Sequence, residues 1–230
     1  MKVDSFSLYA VLIGIPFLLG VYAQVRVSGT FSRWKGVPVG IGLTGAEIAR
    51  EILTAAGIHD VEVLPIEDML GDHYDPSSKR LCLSPDVYRG ASVAAAGIAA
   101  HESGHAIQHA CAYAPLHLRM AIVPATQIAS RLLPFVILGG FFFHFTGLIT
   151  VGIICYLVLT LFQLVTLPVE FDASARAKTI LRQMGIVGDN EEARGVDDVL
   201  DSAALTYVAA FVASLGNLIY LFLSRPSSKD

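Results

Sequence analysis

Apolar positions along this chain follow two patterns, one of long unbroken runs and one of short periodic stretches. Three runs carry no Asp, Glu, Lys or Arg: Ser5 to Gln24, Leu132 to Val169 and Ser202 to Ser224. About 20 consecutive apolar residues are enough for a helix to cross a bilayer. The first and last runs therefore predict one span each. The middle run is too long for one span and nearly right for two, with His144-Phe145-Thr146-Gly147 as the turn between them. The first of that pair begins upstream, which brings Pro124, Arg131 and Pro134 into or near it. Arg131 then either snorkels to the interface or faces the protein interior near a site.

The remaining segments alternate on shorter periods. Leu43-Thr44-Gly45-Ala46-Glu47 opens a helix, with Thr44 as N-cap and Glu47 closing a capping box. Ile48, Ile52, Leu53 and Ala56 give it an apolar stripe, and Gly57 ends it. Val61 to Leu64 alternates like a strand, and Arg80 to Ser84 is a second strand candidate. Asp72-His73-Tyr74-Asp75-Pro76 between them reads as a turn. His73, Tyr74 and Asp75 either border a site there or are simply exposed. Ala91 to Ala112 favours helix, and so does Glu170 to Met184. Asp189, Glu191, Glu192, Asp197, Asp198 and Asp201 read as a solvated loop and the first turn of a following helix.

Composition agrees with a membrane protein. Only 16% of residues are charged and 54% are hydrophobic, against about 25% charged in soluble domains. A net charge of -4 speaks against a nucleic-acid partner. Cys82, Cys111 and Cys155 are scattered and odd in number, which speaks against both a disulfide framework and a cysteine metal site.

The candidate chemistry lies in His101-Glu102-Ser103-Gly104-His105. On a helix, positions i and i+4 share a face. Two imidazoles so placed can hold one zinc ion, and Glu102 can reach a water on it. Zinc lowers the pKa of such a water to about 7, and the Glu takes its proton as the water attacks a carbonyl. The motif is short and also arises by chance, as a polar helix face. Its setting favours a site, because the small apolar residues 92–100 before it predict a packed helix whose polar groups need partners.

Such a site needs a third protein ligand. His109 lies about 6 Å along the axis from His105, too far for one zinc to hold all three histidines. The position three after His105 is Gln108, so no glycine breaks the helix to bring a later histidine back. The next carboxylates are Glu170 and Asp172, which point to nearly opposite sides. Glu170 is the chosen ligand and Asp172 the reserve. The other reading of Asp172 is an ion pair with Arg176, one turn on. Arg176 and Tyr207 are candidate donors to the oxyanion, alongside plainer roles as a helix ion pair and an interfacial tyrosine.

The span count passes a consistency test. Segments 25–120 and 169–201 are separated by two spans, so they share one side. Arg26, Arg33, Lys35, Arg119, Arg176, Lys178, Arg182 and Arg194 fall on that side, against Lys2, Arg225 and Lys229 on the other. Positive charge marks the cytoplasmic side. A cleaved signal peptide is the rival reading of the first run, because Val21-Tyr22-Ala23 resembles a cleavage site. Lys2 is offset by Asp4, and Arg26, Arg33 and Lys35 follow the run, which favours a retained anchor. The expected organisation is an anchor (1–25), an α/β segment bearing the HExxH helix (26–118), a transmembrane hairpin (119–168), a third-ligand helix and loop (169–201), and a last span with its tail (202–230).

With these pieces in place the chain resembles the YugP-like membrane zinc metallopeptidases over most of its length. The resemblance is carried by residues 43–47, Asp72 to Pro76, Leu83 to Tyr88, Ala99 to His109, Leu167 to Ser174 and Ala203 to Ala209. It implies an α-helical membrane protein of about four transmembrane helices with a small α/β gluzincin-like catalytic domain. It implies one Zn2+ per chain on His101, His105 and Glu170, with Glu102 as general base. More distant HtpX-like and CAAX-processing peptidases carry Asp four residues after the ligand Glu. Here that position is Ser174, so the role is missing or moves to Asp172. By analogy with related folds, Arg80 to Ser84 is the edge strand that pairs with substrate.

The expectation is therefore an integral protein of a prokaryotic cell membrane. It is a zinc endopeptidase acting at the cytoplasmic face on membrane-associated or unfolded polypeptides. A membrane scaffold with a structural zinc, and a zinc amidase on a non-peptide substrate, are the alternatives.

Overall fold

The computed structural model describes residues 5–68, 71–143, 146–188 and 191–224. The His144–Phe145 part of the expected turn, Asp189, and the charges at Lys2, Asp4, Arg225 and Lys229 lie outside them. The chain is mostly helical, with one small sheet. Its helices are α1 (Ser5–Tyr9), α2 (Ile15–Lys35), α3 (Gly45–Ala55), α4 (Pro85–Tyr88), α5 (Val93–Ala110), α6 (Ala114–Phe143), α7 (Thr146–Gln183) and α8 (Glu191–Leu223). A π-helical turn, Ala10–Gly14, joins α1 to α2. The strands are β1 (Glu62–Pro65), β2 (His73–Asp75) and β3 (Arg80–Leu83).

Two compact units emerge, each built from separated stretches of chain. The first comprises residues 1–24, 118–167 and 206–230. Among the described residues, four helices are long and apolar enough to cross a membrane: Ser7–Lys35, Ala114–Gly140, Gly147–Gln183 and Glu191–Leu223. Large apolar side chains such as Phe17, Phe135, Phe142 and Phe222 stand outward from them. That is the pattern of helices solvated by lipid, since a soluble bundle rarely leaves so large an apolar surface uncovered. At Gly216 a methyl group would meet the Leu12 carbonyl oxygen at 2.1 Å, so α8 packs tightly on the π-helical turn. Small residues commonly permit such approach between membrane helices. Tyr9 and Tyr220 meet edge-on beside it, ring centres 5.7 Å apart. Arg131 is exposed on α6.

The second unit comprises residues 25–117 and 168–205. Its axis is α5, an Ala- and Gly-rich helix buried along nearly its whole length. One core joins Trp34, Ile48, Ile52, Val93, Ala100, Ala177, Leu181, Val196 and Leu200. The other joins Ala46, Leu53, Val63, Leu81, Leu83, Val87, Ala99 and Ala106. Alanines on α5 contribute to both, so the helix is gripped from two sides. A helix apolar all round is a buried one. Ser92 caps its start by accepting from the Ala95 N–H. The capping box of α3 forms as expected, with Thr44 and Glu47 bonding reciprocally. Caps of this kind contribute about 1 kcal/mol.

Four sequence expectations are corrected here. Arg80–Leu83 is not an edge strand: the sheet order is β1-β3-β2, with β1 parallel and β2 antiparallel to β3. The reason is that His73–Asp75, expected as a turn, is a strand that covers the far edge of β3. The reversal comes one segment later, where the Asp75 carboxylate accepts from the Ser77 N–H and from the Ser77 and Ser78 hydroxyls. Glu170 does not open a helix: α7 runs unbroken from Thr146 through it. Pro168 removes one backbone donor and the helix continues past it. Likewise α8 takes in the acidic segment from Glu191, because Asp197 and Asp201 are paired by Lys178 and Arg182 of α7 instead of lying in a loop.

Candidate metal centre

Helices α5 and α7 cross within the second unit at Gly104. A methyl group there would lie 2.8 Å from the carbonyl oxygen and 3.2 Å from the Cα of Ala173. Only a glycine lets the two backbones come this near. His101 and His105 flank Gly104 on α5, and Glu170 lies almost one turn before Ala173 on α7. The crossing therefore gathers all three side chains.

Glu170 Oε2 lies 3.2 Å from His101 Nε2 and 3.6 Å from His105 Nε2. The two imidazole rings stand edge to face, 4.8 Å apart. One ligand atom from each residue lies within 4.8 Å of the other two. Zinc with N and O ligands at 2.0–2.2 Å in a tetrahedron has edges of about 3.3–3.6 Å, so the two spacings to Glu170 fit. The donor set of two imidazoles and one carboxylate also fits, being a common set for a zinc ion with one open position. Neither Asp172 nor His109 belongs to the cluster.

The electrostatics suit a cation. Glu170 is 2% exposed, and the charge-free run ends at the residue before it. Its carboxylate is held between the ring nitrogens of His101 and His105. Burial pushes His105 down, and the hydrogen bond of Glu170 with the charges of Glu102 and Glu170 reverses the sign. Glu102 is itself buried on α5. Asp72 lies within its electrostatic reach: burial raises the Asp72 carboxyl and the charge of Glu102 adds to it, although Ser84 donates both its N–H and its hydroxyl.

The far nitrogens of both histidines are also held. Ser174 Oγ lies 3.1 Å from His101 Nδ1. Gln108 Oε1 lies 3.0 Å from His105 Nδ1. Gln108 in turn donates to the Val169 carbonyl and to Asp172 Oδ2, each at 2.8 Å. Arg176 Nε donates to the same Asp172 oxygen at 2.5 Å. The ion pair weighed from the sequence is thus present. Sequence reasoning missed Gln108 and Ser174 as partners, and Asp72 as a neighbour of Glu102. Gln108 was legible in principle, standing three residues after His105 on one helix face.

The other candidates lie elsewhere. His109 Nδ1 bonds the Tyr74 hydroxyl at 2.8 Å, and its ring lies 6.0 Å from His117. His73 is exposed and bonds the Gly71 carbonyl. Tyr207 belongs to the first unit, on α8.

Comparison with known proteins agrees with this geometry. Residues 9–225 match the family described as "Putative neutral zinc metallopeptidase". The chain is 46% identical over 212 residues to "Putative membrane protease YugP" of Bacillus subtilis (strain 168), covering 92% of this chain and 94% of that protein. No solved structure matches significantly. With so nearly complete a match, the chain belongs to the "Putative neutral zinc metallopeptidase" family.

Proposed function

We propose that this protein is a membrane-embedded zinc endopeptidase of gluzincin type, with one zinc per chain held by His101, His105 and Glu170 and with Glu102 as general base. The observation that carries the reading is the convergence of two imidazole Nε2 atoms and one buried carboxylate, with Glu102 next to the first histidine. A zinc ion held there supplies Lewis acidity, polarising a carbonyl and making water acidic near neutral pH. Glu102 takes the proton of the attacking water and later delivers it to the leaving amine. Its burial excludes bulk water from that transfer.

Arg176, one of the donors expected for the oxyanion, already gives its Nε–H to Asp172, and we assign it to that pair. The substrate is a polypeptide, membrane-associated or unfolded. The exposed edges of β1 and β2 offer main-chain pairing for an extended segment. The basic residues Arg26, Arg33, Lys35, Lys178, Arg182 and Arg194 support a cytoplasmic catalytic side. Three ligands with a neighbouring carboxylate favour catalysis over a structural zinc, which ordinarily fills all four positions from protein.

The test uses purified full-length protein with unfolded and membrane-protein substrates. Glu102→Gln is expected to keep one zinc per chain and lose hydrolysis by at least about 10²-fold. Undiminished hydrolysis removes Glu102 as base. Zinc bound by the wild type without cleavage of any substrate favours the scaffold reading.

A further inference from the structure

We infer that His105 is positioned, and its tautomer fixed, by a relay running from Arg176 through Asp172 and Gln108. The inference rests on His105 as a metal ligand and stands without the peptidase reading.

The side-chain amide of Gln108 has a forced orientation. Gln108 is fully buried, at 0% exposed. One end of its amide lies 2.8 Å from both the Val169 carbonyl oxygen and Asp172 Oδ2. Both neighbours only accept hydrogen bonds, so that end must be the NH2 group. Turning the amide over would set an oxygen against two oxygens in a buried site. With nitrogen there, both amide hydrogens are committed and the carbonyl oxygen faces His105 Nδ1 at 3.0 Å.

An amide oxygen cannot donate. The hydrogen between Gln108 and His105 must therefore sit on His105 Nδ1. A neutral imidazole with its hydrogen on Nδ1 keeps its lone pair on Nε2. Nε2 is the atom turned toward Glu170. The chain of bonds thus selects the form of His105 that can bind a metal.

Asp172 secures the amide, and Arg176 secures Asp172 through its Nε–H. A carboxylate thus backs one histidine at one remove, through a neutral amide. His101 is treated differently. Its partner, Ser174, is a hydroxyl that both donates and accepts, so it holds the ring without dictating the tautomer. The two histidines of one motif are therefore unequally prepared, with His105 the more rigidly set. Removing partners of metal-bound histidines typically costs 10–100-fold in affinity.

The test measures zinc affinity of the full-length protein in detergent by competition with a chromophoric chelator, together with the visible spectrum of the Co(II)-substituted form. Gln108→Ala and Gln108→Glu are each expected to weaken zinc by about 10–100-fold and to shift the Co(II) spectrum. The glutamate variant keeps size and an acceptor for His105 but loses both donors. Asp172→Asn is expected to give a smaller loss. Because the groups act in series, Gln108→Ala with Asp172→Asn should bind no more weakly than Gln108→Ala alone. Leu181→Ala, a core change on the same helix, should lower Tm without altering zinc affinity.

Wild-type affinity in Gln108→Ala, or losses that add fully in the double variant, overturns the relay. If Gln108→Ala does not fold, Asp172→Asn and Arg176→Gln decide the matter, and unchanged affinity in both overturns it. Weakened zinc in these variants, beside a wild type that cleaves nothing, upholds the relay and removes the peptidase reading. A wild type that binds no zinc removes both.

Discussion

A single phenol shows how the surroundings of the HExxH helix are tuned. Tyr74 is partly buried, and burial together with the charges of Asp60 and Asp75 pushes its pKa up to about 12. It therefore stays neutral at physiological pH and keeps its hydrogen bond with His109. Between the two pKa values the unfolded chain ionises and the folded one does not, so stability falls as pH rises. Its stability contribution is complete below the unfolded value of about 10 and is lost as pH rises through 12. Ultraviolet titration should show one late-ionising tyrosine near pH 12 that Tyr74→Phe removes, and a step near 10 for Tyr74 would refute it. At this scale the sequence was readable where spacing on one helix did the work, as for His101 and His105. Glu170 was readable as the first carboxylate after a long charge-free run. The linkage of Gln108 to Asp172 was not, because it exists only where α5 crosses α7.

That crossing is where element-scale behaviour can be tested. Gly104→Ala places a methyl group against the backbone of Ala173, with no flexible side chain to yield. The helices must separate, and the ligands on either side of the contact separate with them. The expected cost is about 1–3 kcal/mol in stability, together with weaker zinc binding. Thermal unfolding and chelator competition read these two effects separately, and a variant with normal zinc affinity would show that the crossing does not set the site. Elements with strong local signals, such as the capped α3 and the small-residue α5, were legible in advance. The three-residue β2 was not, because Asp, His and Pro in that stretch carry turn chemistry and only pairing with β3 makes it a strand. The continuity of α7 past Pro168 was also hidden, since Pro and Glu together resemble a helix start.

For the whole molecule, the four candidate spans and the proposed cytoplasmic site together make a topological prediction. A reporter fluorescent only in the cytoplasm, fused at Tyr113, should light up, and one fused at the C-terminus should stay dark. The reverse pattern would invert the orientation, and matching signals at both points would break the span count. The count was legible because runs without charge are long and unambiguous. The division into units was less so, because each unit draws on distant segments.

This discontinuity has a consequence during synthesis. His101 and Glu170 stand 69 residues apart, with the charge-free run of two spans between them. At roughly 5–20 residues per second, a ribosome needs about 3–14 s to pass from one to the other. Through that interval the nascent chain carries the histidines and Glu102 without the third ligand. On the proposed reading it is latent through that interval, so the nascent chain does not threaten its neighbours at the insertion machinery.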